Sequence, residues 1–188
     1  MRIGVLSLQG DFREHDEMLN SCGAQVSHVK LPADLRGLHG FVIPGGESTA
    51  ILRLMERSSM KGAILHHFKK GMAIYGSCAG AIVLAKRILS HRQDSLAILD
   101  ISVSRNAYGT QQDSFEAELD VKGFSNPFHG IFIRAPIIES VGAGVEILAE
   151  FEGKPVMVRS GKLLATTFHP ELANDKRIHE LFLRIAEK

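Results

Sequence analysis

The chain lacks the marks of several large protein classes. Its 188 residues include two cysteines, Cys22 and Cys78. That is too few for a disulfide framework and points to a reducing, cytoplasmic setting. No apolar run approaches the roughly 20 residues of a membrane-spanning helix. The sequence enters a strand almost at once, so no signal or transit segment is expected. Charge of neither sign dominates, with 22 Lys and Arg against 21 Asp and Glu. Without a basic block or a basic–aromatic stripe, nucleic acid and anionic membrane are not expected as partners. There are nine histidines, but none has the His-Glu-x-x-His spacing of a zinc enzyme, and no metal is expected. A Walker lysine and a Gly-x-Gly-x-x-Gly pattern are also missing, which argues against phosphate binding. Repeats, low-complexity tracts and linkers are absent too. With 45% hydrophobic and 23% charged residues, the chain reads as one globular domain, 1–188.

What is present has the rhythm of an α/β protein. Ile3–Leu8 is a nearly continuous apolar run, as in a parallel strand covered on both faces. Asp11 is placed to cap a helix over Phe12–Cys22, and Gly23 to end it. Gln25–Leu31 reads as a second strand stopped by Pro32, and Gly40–Ile43 as a third. Helices are expected over Thr49–Arg57 and Met60–Lys70. A buried strand, Met72–Tyr75, then leads through a tight turn into a helix over Ala81–Lys86. These alternations predict a doubly wound, mainly parallel sheet flanked by helices. Shorter strands follow at Ile98–Ser104, Phe115–Val121, Ile131–Ile133, Glu146–Glu150 and Pro155–Arg159, the first two separated by the Arg105–Gln112 loop. Leu163–Thr167 is the last strand and Asn174–Glu187 the last helix. Gly-containing turns at Glu152-Gly153-Lys154 and Ser160-Gly161-Lys162 predict an antiparallel extension of the parallel sheet.

The turn Gly76-Ser77-Cys78-Ala79-Gly80 carries the strongest chemical signal. A strand passing directly into a helix strains the corner residue and demands small neighbours two positions away. Gly76 and Gly80 satisfy that demand around Cys78, in the pattern of a nucleophile elbow. The following helix aims free N–H groups at the thiol, which favours thiolate and a developing oxyanion. The alternative is an inert buried cysteine in a tight turn. A cysteine nucleophile needs a base and a group to orient that base. His169 stands at the carboxyl end of the last strand, where open α/β sheets place their sites. Glu171 lies two residues on, and Pro170 favours an extended backbone that points both side chains the same way. The competing reading is a plain turn before the last helix. His66 and His67 read as solvated helix positions. His15, His28, His39, His91, His129 and His179 show no orienting context.

Pro44-Gly45-Gly46-Glu47-Ser48 ends the third strand with paired glycines, which let backbone N–H groups approach a ligand. One such N–H, with that of Ala79, would make an oxyanion hole; a plain β-to-α turn is the alternative. Arg134 ends the apolar run Ile131-Phe132-Ile133 and Arg105 opens a loop of turn residues; an arginine pointing into a cleft would bind a substrate carboxylate, although surface ion pairs explain most single arginines.

Taken together, these motifs make the chain resemble the class I (triad) glutamine amidotransferases. Leu8-Gln9-Gly10, Pro44–Thr49, Arg105-Asn106-Ala107-Tyr108-Gly109 and Phe132-Ile133-Arg134-Ala135-Pro136 narrow the resemblance to the glutaminase subunits of pyridoxal 5′-phosphate synthase. The likeness covers essentially the whole chain. It departs at Ser77, where many members carry threonine. The resemblance implies hydrolysis of glutamine to glutamate and ammonia through a thioester on Cys78. His169 would act as base and then acid, with Glu171 orienting it. Gly46 and Ala79 N–H groups would form the oxyanion hole, and Gly46, Glu47, Ser48, Arg105, Ile133 and Arg134 would hold glutamine. Ammonia would pass to a separate synthase subunit that combines it with a pentose phosphate and a triose phosphate. Docking of that subunit would rearrange the loop near Gly45-Gly46, with Gln9 and Gly10 close to the docking face. No cofactor is implied, because pyridoxal phosphate would be a product of the complex. Two other readings remain: the glutaminase of another amidotransferase, such as imidazole glycerol phosphate synthase, and a cysteine stress protein of the DJ-1 type. A redox sensor needs no base–orienter pair, which separates the last from the first two.

Overall fold

A computed structural model describes residues 1–89, 94–105 and 114–187. Chain order runs β1 (Arg2–Leu6), α1 (Phe12–Ser21), β2 (Gln25–Val29), β3 (Gly40–Ile43), α2 (Ser48–Arg57), α3 (Met60–Lys69), β4 (Ala73–Ser77) and α4 (Ala79–Leu84). It continues with β5 (Ala85–Ile88), β6 (Leu99–Ser104), β7 (Ser114–Leu119), β8 (Phe128–Ile133), β9 (Ile137–Val141), β10 (Glu146–Phe151), β11 (Lys154–Ser160), β12 (Leu163–Thr166) and α5 (Arg177–Glu187). Pro32–Leu35 and Pro170–Leu172 are short 3₁₀ turns.

The main sheet has seven strands in the order β10-β11-β12-β4-β3-β1-β2. From β12 to β2 the neighbours run parallel, while β10, β11 and β12 pair antiparallel. The expected doubly wound sheet with an antiparallel extension is therefore the fold. Both glycine turns of that extension are hairpins, and Glu152 and Gly153 both take positive φ (50° and 73°), as a two-residue hairpin turn requires. A three-stranded sheet, β5-β6-β9, and a two-stranded sheet, β7-β8, complete the strands.

Successive strand residues point to opposite faces, and both faces are apolar, so the strands read as unbroken hydrophobic runs. Phe41, Ile43 and Ile74 enter one core with Ile51, Met55 and Ile64 of α2 and α3. Ile3, Val5, Val42 and Tyr75 enter the other with Leu19 of α1 and Ile178 and Phe182 of α5.

Four local expectations need correction. Asp11 makes no side-chain capping bond to α1; its carboxylate lies instead beside His169. The helix after Cys78 covers only Ala79–Leu84, and Ala85-Lys86 already belong to β5. Its apolar letters suit a buried strand as well as a buried helix, and pairing of β5 with β6 decides between them. β9 escaped notice because Glu139 and Ser140 interrupt its apolar pattern. His169 and Glu171 do not meet through extended backbone: the chain turns at Pro170–Leu172 as a 3₁₀ turn. The part of the Arg105–Gln112 loop beyond Arg105, and His91, lie outside the described residues.

Candidate active site

Strand order explains why distant residues meet. β12, β4, β3 and β1 are consecutive neighbours running the same way. Their carboxyl ends therefore deliver four loops to one edge: His169–Glu171, Cys78, Pro44–Ser48 and Gln9–Asp11. Thr166 pairs with Ser77 across β12 and β4, and the Cys78 N–H donates to the Thr166 carbonyl at 2.8 Å. That register sets Cys78 beside the segment that carries His169.

Cys78 has φ 47° and ψ −105°, a conformation that costs a non-glycine residue about 1–3 kcal/mol. The strain is enforced by close backbone approach on both sides. A Cβ on Gly76 would lie 2.5 Å from the Gly80 carbonyl carbon, and one on Gly80 would lie 2.1 Å from the Ile43 carbonyl oxygen. The elbow glycines are there for space. Ala79 opens α4 and is buried; its N–H belongs to the first turn, which lacks intrahelical acceptors.

His169 is buried, and its Nδ1 lies 2.8 Å from Glu171 Oε1. Its N–H donates to the Ile131 carbonyl at 2.8 Å, tying the turn to β8. With Nδ1 engaged, Nε2 is the ring nitrogen left for the Cys78 sulfur, which acts on the imidazole. Burial by itself would lower the imidazole's pKa. The Cys78 sulfur and the Glu171 carboxylate outweigh it and raise the pKa to about 10. The group thus favours its protonated form. Glu171 is itself raised by burial, an effect opposed by His169. Asp11 Oδ2 lies 3.7 Å from the same Nδ1, so Asp11, His169 and Glu171 converge. The 2.8 Å contact there is a hydrogen-bond length; ligands about 2.0–2.2 Å from a tetrahedral metal would stand farther apart.

The loop after β3 folds against both histidine and elbow. Gly45 packs so closely on His169 that a Cβ would come within 2.5 Å of Cε1. The Gly45 carbonyl accepts from the Asp11 N–H at 3.2 Å, and a Cβ on Gly10 would lie 1.8 Å from that oxygen. Gln9 Oε1 accepts the Glu47 N–H at 3.0 Å. Gln9 and Gly10 thus brace the glycine loop from β1.

The Glu47 carboxylate caps α2 through the N–H groups of Thr49 and Ala50, at 3.0 and 2.7 Å. It also accepts from Arg105 Nη2 at 2.9 Å, while Nη1 donates to Thr49 Oγ1. Ser48 Oγ is buried without a hydrogen-bond partner among the described residues. Ile133 ends β8 with its carbonyl 3.9 Å from Cys78 Sγ, and Arg134 follows at φ 44°, an uncommon conformation for a non-glycine residue.

These residues surround a cleft of about 520 Å³, within the roughly 300–1,000 Å³ usual for small-molecule sites. Gln9, Gly46, Glu47, Ser48, Cys78, Ala79, Arg105, Ile133, Arg134 and His169 all line it, with Asp11, Ile82 and Leu172. Glu171 stands behind His169, and Gly45 and Gly10 behind the loop. Every expected site residue thus falls in or directly behind one cleft. Sequence reading missed Asp11 as a cleft residue, having assigned it to capping. It also missed His15 and His179, which are fully buried; the placement of His15 on a helix of alternating polar letters gave no signal.

A buried thiol on a strained strand–helix corner, faced by a histidine held by a carboxylate, is the arrangement of thiol-dependent acyl-transfer enzymes on open α/β sheets. The chain belongs to the SNO glutamine amidotransferase family, which it matches over residues 5–188. It is 47% identical over 188 residues to the pyridoxal 5′-phosphate synthase subunit PdxT of Thermosipho africanus, covering 100% of both chains. It is 48% identical over 186 residues to the same subunit of Thermus thermophilus, covering 98% of this chain and 97% of that one. A crystal structure of a glutamine amidotransferase superposes with a TM-score of 0.95 at 46% identity, covering 99% of each chain. PurLQS from Thermotoga maritima shares the fold, with a TM-score of 0.69, 17% identity and 97% of each chain covered.

Proposed function

We propose that this amidotransferase hydrolyses glutamine at Cys78 and delivers the ammonia to a pyridoxal 5′-phosphate synthase subunit. The observation that carries the reading is the strained elbow cysteine in one cleft with the hydrogen-bonded His169–Glu171 pair. The full-length likeness to PdxT subunits supports the choice of partner.

In this reading the Cys78 thiolate attacks the glutamine carboxamide carbon, and the oxygen charge that develops is stabilised by N–H groups of Ala79 and Gly46. Protonated His169 then gives its proton to the departing nitrogen, releasing ammonia and leaving a glutamyl thioester. Neutral His169 next removes a proton from water. The resulting hydroxide adds to the thioester, and glutamate leaves as the thiolate and imidazolium are restored. Glu171 keeps the Nδ1 proton of His169 in place throughout and stabilises the imidazolium. Ser48, with its unsatisfied hydroxyl, and Arg105, Arg134, Glu47 and the Ile133 backbone are positioned to hold the amino acid ends of glutamine. Gln9, Gly10 and Gly45, which set the glycine loop, are the route by which a docked synthase would act on Gly46. Closure on docking would keep ammonia from being released without a consumer.

The test is glutamate release from glutamine by the purified chain, alone and with a pyridoxal 5′-phosphate synthase subunit. Stimulation on mixing is expected. Stimulation instead by a different amidotransferase synthase would reassign the partner, and no glutamate under any condition would overturn the reading.

A further inference from the structure

One buried cluster of titratable side chains takes no part in the steps above. His15 of α1 and His179 of α5 are fully buried. His15 Nδ1 lies 3.0 Å from His179 Nε2. His15 Nε2 lies 2.8 Å from Ser77 Oγ and 3.4 Å from Glu171 Oε2. Among the described residues that Glu171 oxygen has no hydrogen bond of its own, its twin Oε1 being used on His169. Tyr75 packs edge-on against both rings, with centroids 5.8 and 6.1 Å away.

The charges around the cluster select one proton arrangement. A neutral imidazole has one donor and one acceptor nitrogen. If His15 carried its proton on Nδ1, its Nε2 lone pair would face the Glu171 carboxylate, and His179 would bury an unpartnered N–H at Nδ1. With the proton on Nε2, the N–H donates to Ser77 Oγ, with Glu171 Oε2 3.4 Å from the same nitrogen, and Nδ1 accepts from His179 Nε2–H. His179 Nδ1, which has no hydrogen-bond partner among the described residues, then carries only a lone pair. A purely packing role would not need this, since an apolar side chain in the same place avoids the cost of burying two imidazoles.

We propose that His15 is a positioning residue of the glutaminase centre: its Nε2–H donates to Ser77, the residue before the nucleophile, and sets the positive end of its dipole 3.4 Å from Glu171 Oε2, which keeps that carboxylate turned onto His169. The proposal rests on the reading of Cys78, His169 and Glu171 as the reacting set. It makes one rigid unit of the elbow, the base and the orienting acid, with His179 fixing the His15 tautomer from α5. Burial, with His179 and His169 nearby, holds His15 well below its ordinary pKa, so it stays neutral while acting. The titratable groups facing Glu171 are His169, His15, Asp11 and Tyr75.

The test compares His15→Leu, which keeps bulk and removes the donor, with His15→Gln, whose amide nitrogen can reach the Nε2 position. Two readouts are followed against pH: kcat and KM for glutamine with the synthase subunit present, and the rate at which iodoacetamide alkylates Cys78, scored on its own peptide. Loss of the N–H removes the positive end of a dipole from beside Glu171 Oε2, so the carboxylate takes its proton at higher pH. For His15→Leu, kcat is expected to fall about tenfold at unchanged KM, and the acid limb of both profiles to rise by about one pH unit, the same tenfold expressed as a shift in a protonation equilibrium. His15→Gln is expected to recover most of both. Unmoved acid limbs in His15→Leu, or equal impairment of the two variants, would overturn the proposal. Should His15→Leu fail to fold, His15→Gln against His15→Asn, whose amide sits at the Nδ1 position, decides: equal acid limbs would overturn it. Alkylation needs no glutamine, so a wild-type protein that releases no glutamate would count against the functional reading, while the alkylation profiles still judge His15.

Discussion

Replacing Gly80 by alanine tests whether elbow geometry rests on steric space. The new Cβ would sit 2.1 Å from the Ile43 carbonyl oxygen, where ordinary contact begins at 3.4 Å. The obstacle is the last carbonyl of β3 and cannot rotate away, so α4 and β3 must separate by more than an ångström. Overpacking of this kind costs about 1–3 kcal/mol, and an immovable neighbour puts it near 3. Alanine in place of glycine in a helix returns about 1 kcal/mol, leaving a net loss of about 2 kcal/mol. In a chain of this length that lowers the melting temperature by roughly 4–8 °C. The activity loss is larger than the stability loss. Displacing α4 moves Ala79 and Cys78 relative to His169, and a misplacement of about 1 Å costs on the order of 100-fold in rate. Thermal melts by circular dichroism and glutamate release with the synthase subunit measure the two effects. Gly62→Ala is the control, since nothing lies within 4 Å of a Cβ there; it should keep full activity and melt no lower than wild type. A Gly80→Ala protein that melts with wild type and keeps its turnover would refute the steric account.

Other expectations follow from the same geometry. Cys78→Ala should abolish glutamate release while leaving the fold and docking intact, because alanine fits the corner and only the sulfur is lost; His169→Asn should do likewise. Glu171→Gln should lower turnover less than either, since an orienting group contributes less than the pair it orients; a Glu171→Gln protein as dead as Cys78→Ala would contradict that ranking. Burial lowers His179 to about 3 from its ordinary 6.5, so the unfolded chain takes up a proton there that the folded chain refuses. Its contribution to stability is therefore complete above pH 6.5 and is lost as pH falls toward 3, at up to about 1.4 kcal/mol per pH unit. Urea unfolding of His179→Gln at several pH values between 6.5 and 4 should show an acid dependence shallower by about one proton. An unchanged slope would mean that His179 is not held neutral.

Local chemistry made much of this protein legible in the sequence. Continuous apolar runs gave the parallel strands because both faces of that sheet are covered, and Gly153 and Gly161 marked hairpins because only such turns reverse the chain so tightly. Cys78 between Gly76 and Gly80 was readable for the same reason: the steric demand of a strand–helix corner acts within five residues. His169 and Glu171 are neighbours in sequence, so their pairing could be anticipated even though the 3₁₀ turn that achieves it was not. Asp11 was misread because an aspartate before a helix is an ordinary cap, and only the approach of the β12 loop reveals its other neighbour. β5 and the short α4 have the same apolar letters, and pairing with β6 decides which is strand.

Which histidine serves the cysteine was a choice among nine, and the sequence narrowed it by position alone. Strand order made it physical, since β12 and β4 must be parallel neighbours before His169 can reach Cys78. The buried contact between His15 and His179 joins residues 164 apart and has no periodicity to betray it. The sequence by itself determined which short segments can bend, pair or react. Tertiary structure decided which of them meet, because contacts across a sheet depend on strand order and register, and neither is encoded in any local stretch of chain.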